Sequence, residues 1–327
     1  MRRSLAFLLL LVAAGCTGRQ SALDPQGLSS AAIYQLILFI MIVCACVWLL
    51  VMIVLIAAIW RGRREKAAPT SERKMTMVIS IAVGATAVVV GIFTLMSFLA
   101  TRHISAPPEN PLVVQVRGYQ FWWEVTYVDP RPDRNFVTAN EIHIPIGRPV
   151  RFVLLGGDVI HSFWVPNLAG KQDLIPGRTN ELTVTANRSG TYRGQCAEFC
   201  GLQHAHMAFT VIAEDPADFD AWRLSNIETA ASPKTPEAQE GLRVFAEKAC
   251  VACHTIRGTG AAGTLGPDLT HMASRQYLAS GLLETTRGSL AAWIADPQTL
   301  KPGSNMPLVD LEPEELQAVS TYLMGLK

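Results

Sequence analysis

Hydrophobic and polar positions divide the chain into three textures. Arg2 and Arg3 precede an apolar run from Leu5 to Ala14 and then small residues before Cys16. That run is too short to span a bilayer and reads as a secretory signal over residues 1–15. Ile33 to Trp60 and Thr76 to Ala100 each lack charged residues and histidine, and each exceeds the roughly 20 residues that cross a hydrocarbon core. They predict a transmembrane hairpin over 33–100, preceded by an exported segment at 16–32. The connection carries Arg61, Arg63, Arg64, Lys66, Arg73 and Lys74 against Glu65 and Glu72, so the positive-inside rule assigns it to the cytoplasm. Everything after residue 100 then lies outside. Cys44 and Cys46, within the first span, read as small packing residues.

The second texture is β. Leu112 to Val116, Phe121 to Val128, Val150 to Leu155 and Glu181 to Thr185 are β-branched and aromatic runs, punctuated at Pro145 to Pro149, Pro166 to Gly170 and Pro176 to Gly177. This predicts an all-β sandwich or barrel over 101–229, closed by a short helix around Ala217 to Ile227. An Ala, Ser, Thr and Pro stretch at 230–235 reads as a linker. The third texture is helical, over 236–327. Thr235 suits an N-cap, Pro236 suits the first helical position, and Leu316, Val319, Tyr322, Leu323 and Leu326 share a face. The fold class is therefore multidomain: membrane hairpin, all-β barrel, all-α domain.

Length and charge add limits. The 327 residues leave room for two or three domains, and 28 basic against 27 acidic residues give no electrostatic case for a nucleic-acid partner.

Two motifs carry chemistry. Cys250-Val251-Ala252-Cys253-His254 is C-x-x-C-H, two thiols able to reach porphyrin vinyl groups and a histidine able to ligate iron. A disulfide or redox dithiol is the alternative in an exported protein. Cys196-Ala197-Glu198-Phe199-Cys200-Gly201-Leu202-Gln203-His204-Ala205-His206-Met207 gathers two thiols, an imidazole and a thioether, a soft set that favours copper over magnesium or calcium. A disulfide, a zinc loop and a one-copper blue site compete, although a blue site needs only one cysteine. His161 in Asp158-Val159-Ile160-His161-Ser162-Phe163 offers a second imidazole from a separate strand.

Three resemblances follow. Leu11-Val12-Ala13-Ala14-Gly15-Cys16 resembles a bacterial lipoprotein signal, which implies lipidation of Cys16; an ordinary signal peptide is the alternative. With Gly266-Pro267-Asp268-Leu269, Pro302-Gly303 and Met306-Pro307, residues 236–327 resemble class I cytochromes c. That resemblance implies haem c bound covalently through Cys250 and Cys253, with His254 and Met306 as axial ligands. From the hairpin to about residue 229 the chain resembles cytochrome c oxidase subunit II, whose copper-A centre sits on a cupredoxin barrel. The resemblance implies Cys196 and Cys200 as bridging thiolates and His161 and His204 as one imidazole per copper. Met207 and the Glu198 carbonyl become weak ligands, and the Glu198 side chain becomes a magnesium ligand at the subunit I interface. Lys171 to Arg178 resembles the segment facing the partner's haem propionates. His206 lies off the ligand pattern, and His143 reads as a structural strand residue. Gln120 is followed by Phe121-Trp122-Trp123, where the family has tryptophan first, so the residue that receives electrons is not assigned.

The function implied is subunit II of a respiratory haem-copper oxidase in the bacterial inner membrane, multi-pass with its copper and haem domains outside. Its partners would be subunit I and other oxidase subunits, membrane lipid, and a donor such as cytochrome c or the upstream cytochrome complex. Electrons would pass through haem c and copper-A to subunit I, which reduces oxygen and pumps protons. With no histidine in either span, this chain supplies no ligand to that buried centre. A free-standing membrane electron carrier is the alternative function. Glu72 reads as an ordinary charged helix end, with proton delivery as the lesser reading. The two exported modules both carry net negative charge, so the linker is expected to act as a flexible tether that replaces electrostatic steering.

Overall fold

The computed structural model of the protein describes residues 18–64, 71–248 and 250–327. The signal run, Cys16, Glu65 and Lys66 lie outside the described residues. The chain divides into two compact units, one of residues 31–107 and the other of residues 1–30 and 108–327.

The smaller unit holds helix α1 (Leu28–Arg64), which begins in the larger unit, and α2 (Glu72–Ile104). At 37 and 33 residues, both are long and apolar enough to cross a membrane. Two threonines of α2 are satisfied within the helix: Thr86 Oγ1 donates to Ala82 O and Thr94 Oγ1 to Val90 O, each at 2.9 Å. Hydrocarbon demands such internal pairing. Phe39 meets Phe93 edge-on at 5.9 Å.

In the larger unit, two five-stranded sheets form the β-domain. One has the order β3 (Phe136–Ala139), β2 (Trp122–Val128), β1 (Leu112–Tyr119), β5 (Val150–Gly156), β8 (Thr179–Val184). The other runs β4 (Glu141–Pro145), β10 (Ala208–Glu214), β9 (Gly190–Cys196), β6 (His161–Trp164), β7 (Gln172–Leu174). In β1, buried positions alternate with partly exposed ones, the period-two pattern of a strand with one face on a core. That core is aromatic, with Trp123, Phe152, Phe163 and Phe209 fully buried and in mutual contact. Helix α3 (Pro216–Ile227) closes it with Phe219 and Trp222. Residues 18–30 belong to the same unit. Gln26 N donates to Asn167 O at 2.7 Å, Asn187 N to Gln26 O at 2.8 Å and Leu28 N to Thr185 O at 3.1 Å.

The C-terminal part packs α4 (Pro236–Glu247) against α7 (Pro313–Met324), with α5 (Arg287–Ala295) and α6 (Pro297–Leu300) beside them. Thr235 caps α4 by accepting from Ala238 N at 3.2 Å, with Pro236 in its first turn. Helix α7 stops at Met324, so Leu326 enters the core from beyond the helix end. Two-residue strands β11 (Tyr277–Leu278) and β12 (Leu283–Glu284) form a small hairpin within it.

The expected flexible tether is not what the fold displays. Residues 229–235 have no regular structure, but the helical part is seated directly on the barrel. Gln276 N donates to Glu141 Oε2 at 2.8 Å, Ser280 Oγ to Phe121 O at 2.7 Å, Ala208 N to Ser280 O at 3.1 Å and Gln203 Nε2 to Pro302 O at 3.0 Å. Specific hydrogen bonds therefore do the holding.

Candidate metal centre and haem cavity

The loop between β9 and β10 gathers most of the soft donors. Strand β9 ends at Cys196, whose N–H donates to Met207 O at 2.9 Å, while Ala197 N donates to Ser162 O at 3.0 Å. The loop is thus clamped to the next strand and to β6, whose first residue is His161. A short 3-10 turn, His204–His206, returns the chain to Met207 and β10.

Five donor atoms converge there. Cys196 Sγ and Cys200 Sγ lie 3.9 Å apart, both as free thiols. Cys196 Sγ is 3.8 Å from His161 Nδ1, and Cys200 Sγ is 3.7 Å from both His204 Nδ1 and Met207 Sδ. Cys196 Sγ also lies 3.2 Å from the Glu198 carbonyl oxygen. His161, Cys196 and Met207 are essentially shielded from water. His161, Cys196 and Cys200 present ligand atoms within 4.8 Å of one another, a grouping able to hold a metal ion. The hydrogen bond between the thiols pulls Cys196 down to about 4 and pushes Cys200 far up.

A supporting shell fixes the imidazole. Asp158 Oδ1 accepts from His161 Nε2 at 2.8 Å, which leaves Nδ1 toward sulfur, the usual way a carboxylate sets a ligand's tautomer. Burial opposes protonation of His161, but hydrogen bonds to Cys196 and Asp158 outweigh it and raise its pKa. Asp158 Oδ2 accepts from Gln120 N at 2.7 Å, and Gln120 Nε2 donates to Cys200 O at 2.5 Å. Gly118 passes behind the ring, where a Cβ would come within 2.9 Å of His161 Cδ2. The bond between Asp158 and His161 is local, three residues apart in the chain, whereas the one Asp158 accepts from Gln120 reaches across from the β1–β2 turn and is not revealed by spacing.

Other expected residues separate. The Glu198 side chain is exposed, away from the sulfurs, and Lys171 Nζ reaches the neighbouring Ala197 carbonyl at 3.5 Å. His206 is exposed and holds Gln203 Oε1 at 2.8 Å. His143 is buried in β4 between Glu214 (2.8 Å) and Glu141 (3.4 Å), stacked on Trp222 at 4.0 Å. Glu72 opens the first turn of α2.

Cys250, Cys253, His254 and Met306 all line one cavity of about 560 Å³. Phe245, Leu269, Leu290 and Ile294 supply apolar wall. His254 Nδ1 is held by Pro267 O at 2.7 Å, leaving Nε2 for a metal. Burial lowers the His254 pKa, so the ring is held neutral, the ligating form. A Cβ on Gly266 would strike His254 Cε1 at 2.7 Å, so only glycine lets the chain cradle this ring. Thiols, neutral imidazole, thioether and an apolar slot together fit a covalently held haem. Tyr119, Gln120 and Trp122 of the barrel line the same cavity.

A cupredoxin-like barrel with a His and Cys metal cluster, two membrane-length helices and a C-x-x-C-H domain define a membrane-anchored electron-transport protein of the copper and haem class. Family comparison agrees: residues 128–214 match the periplasmic domain of cytochrome c oxidase subunit II, and residues 238–327 match cytochrome c. These two families imply copper-A and haem, and the cluster is compatible with the former. Cytochrome c oxidase subunit 2 of Alkalihalophilus pseudofirmus is 34% identical over 99% of this chain and 96% of its own length. That of Bacillus subtilis is 34% identical over 67% of this chain and 63% of its own length. Among solved structures, the periplasmic domain of subunit II from Bradyrhizobium japonicum is 30% identical, covering 36% of this chain and 95% of that one, with a TM-score of 0.35. The chain belongs to the cytochrome c oxidase subunit II family, in a form that carries a cytochrome c domain.

Proposed function

We propose that the chain is the electron-accepting subunit of a respiratory haem-copper oxidase, multi-pass in the bacterial inner membrane with its barrel and helical domain outside. Electrons delivered by a donor such as cytochrome c or an upstream cytochrome complex reach the helical domain, then the barrel, then subunit I. Subunit I reduces oxygen to water and couples this to proton pumping. The observation that carries the reading is the pair of thiols 3.9 Å apart, flanked by one imidazole each. Two bridging sulfurs and two separate imidazoles suit two coppers better than one.

In this reading His161 and His204 would each offer an imidazole to copper, Cys196 and Cys200 would supply the thiolates, and Met207 and the Glu198 carbonyl would be weak further ligands. Cys250 and Cys253 would hold haem c covalently, and His254 and Met306 would be its iron ligands. In the same reading the exposed Glu198 carboxylate takes magnesium against subunit I, and Cys16 is lipidated. Bound copper and haem supply one-electron redox chemistry. The protein's part is rigidity: the clamped loop, Asp158 on the imidazole and the aromatic core keep the donor atoms in place as charge changes.

Metal analysis of the purified complex tests this. Two coppers and one covalent haem per chain are expected, with a mixed-valence copper spectrum and co-purifying oxidase subunits. One copper per chain, or a Cys196 to Cys200 disulfide in active enzyme, overturns the copper assignment; purification without a large hydrophobic partner favours a free-standing carrier.

A further inference from the structure

Lys301 follows α6 and is 2% exposed. Its Nζ donates to Ala279 O at 2.9 Å and, across the domain junction, to Phe121 O at 2.8 Å. An ammonium has three N–H donors. Two are used, both on neutral carbonyls. Among the described residues no carboxylate comes within 4 Å of Nζ. Burial pushes this lysine down to about 7, opposed only by the Cys200 side chain. A buried cation without a counter-ion is unfavourable and calls for an anion.

The cavity says which anion fits. Lys301 lines the space bounded by Cys250, Cys253, His254 and Met306. Asp158 also lines it, but its oxygens already accept from His161, Gln120 and Val159. A haem brings an apolar ring, which suits the walls, and two carboxylates, which do not. We propose that Lys301 is the cationic contact for a haem carboxylate, and that the same ammonium ties the haem to the barrel through the Phe121 carbonyl. This rests on the haem reading above and adds a contact that C-x-x-C-H does not specify.

Lys301→Arg and Lys301→Gln variants of the full chain, in the assembled complex, separate charge from hydrogen bonding. Arginine keeps the charge; glutamine keeps a donor for the carbonyls but loses the charge. With haem content and copper spectrum as controls, redox titration is expected to give Lys301→Arg a haem midpoint potential near that of the parent. Lys301→Gln should fall, its haem being about tenfold harder to reduce, equal to about 59 mV for one electron, because a cation favours the reduced state. The haem carboxylate bands in resonance Raman should move in the glutamine variant alone. A haem-loaded glutamine variant with parental potential and bands overturns the proposal, leaving Lys301 as a domain staple. A parental chain without covalent haem overturns the haem reading itself, so the two failures are distinct.

Discussion

Two glycines stand behind two histidines, and this is where single residues matter most. Gly118 faces the His161 ring and Gly266 the His254 ring, each closer than a Cβ allows. Gly118→Ala should push His161 off its line to Cys196 and cost about 1–3 kcal/mol by overpacking. The expected result is an altered copper spectrum and an earlier thermal transition, with haem content unchanged; parental copper spectra and melting would refute it. The thiols, imidazoles and thioether were legible in the sequence as candidate soft donors, and the fold brings their atoms together. Gly118, Asp158 and Gln120 were not legible as a supporting set. Glycine and carboxylate are common, and their roles exist only once β1 lies beside β5 and the turn before β6 folds back.

At the scale of elements, β4, β10 and α3 are joined by one ion cluster. His143 of β4 lies between Glu141 and Glu214, stacks on Trp222 of α3, and is held from the other sheet by Tyr127 of β2, whose hydroxyl donates to His143 O at 2.8 Å. Burial opposes its charge, but hydrogen bonds to Glu141 and Glu214 overcome this and raise its pKa. A value raised on folding means that the cluster's stabilisation is complete below the imidazole's ordinary 6.5 and is lost as pH rises through the folded value. The barrel should therefore unfold more readily as pH climbs above about 6.5, a slope that His143→Gln should flatten; chemical denaturation at several pH values measures it, and an identical slope in both proteins would count against the cluster. The sequence reading of His143 as a structural strand residue was right about its place in β4, but only Glu141 is its neighbour in the chain; the closer carboxylate, Glu214, comes from β10, 71 residues on. Strand β9, with two glycines in seven residues, shows the same limit: its pairing partners, not its composition, make it a strand.

At the scale of the whole molecule, docking takes the place of tethering. Glu141, Phe121 and Gln203 of the barrel hold Gln276, Ser280, Lys301 and Pro302 of the helical domain directly. Transfer between the domains should be unimolecular, unchanged by dilution and nearly unchanged by salt, because specific bonds rather than long-range steering set the geometry. A chain ending after Ala231 keeps α3, and with it Phe219 and Trp222 of the barrel core. It should retain the copper centre, yet be reduced at a rate that depends on the concentration of added cytochrome; stopped-flow reduction by the native donor, as fast as in the full chain, would remove the helical domain from the route. The seam formed by residues 18–30 carries a different kind of consequence. Gln26 and Leu28 are hydrogen-bonded to residues 167, 185 and 187, so the stretches before and after the hairpin fold into one body. One body occupies one compartment. A chain that leaves a compartment and comes back to it must traverse the boundary an even number of times, and two long apolar helices meet that parity where one or three would not.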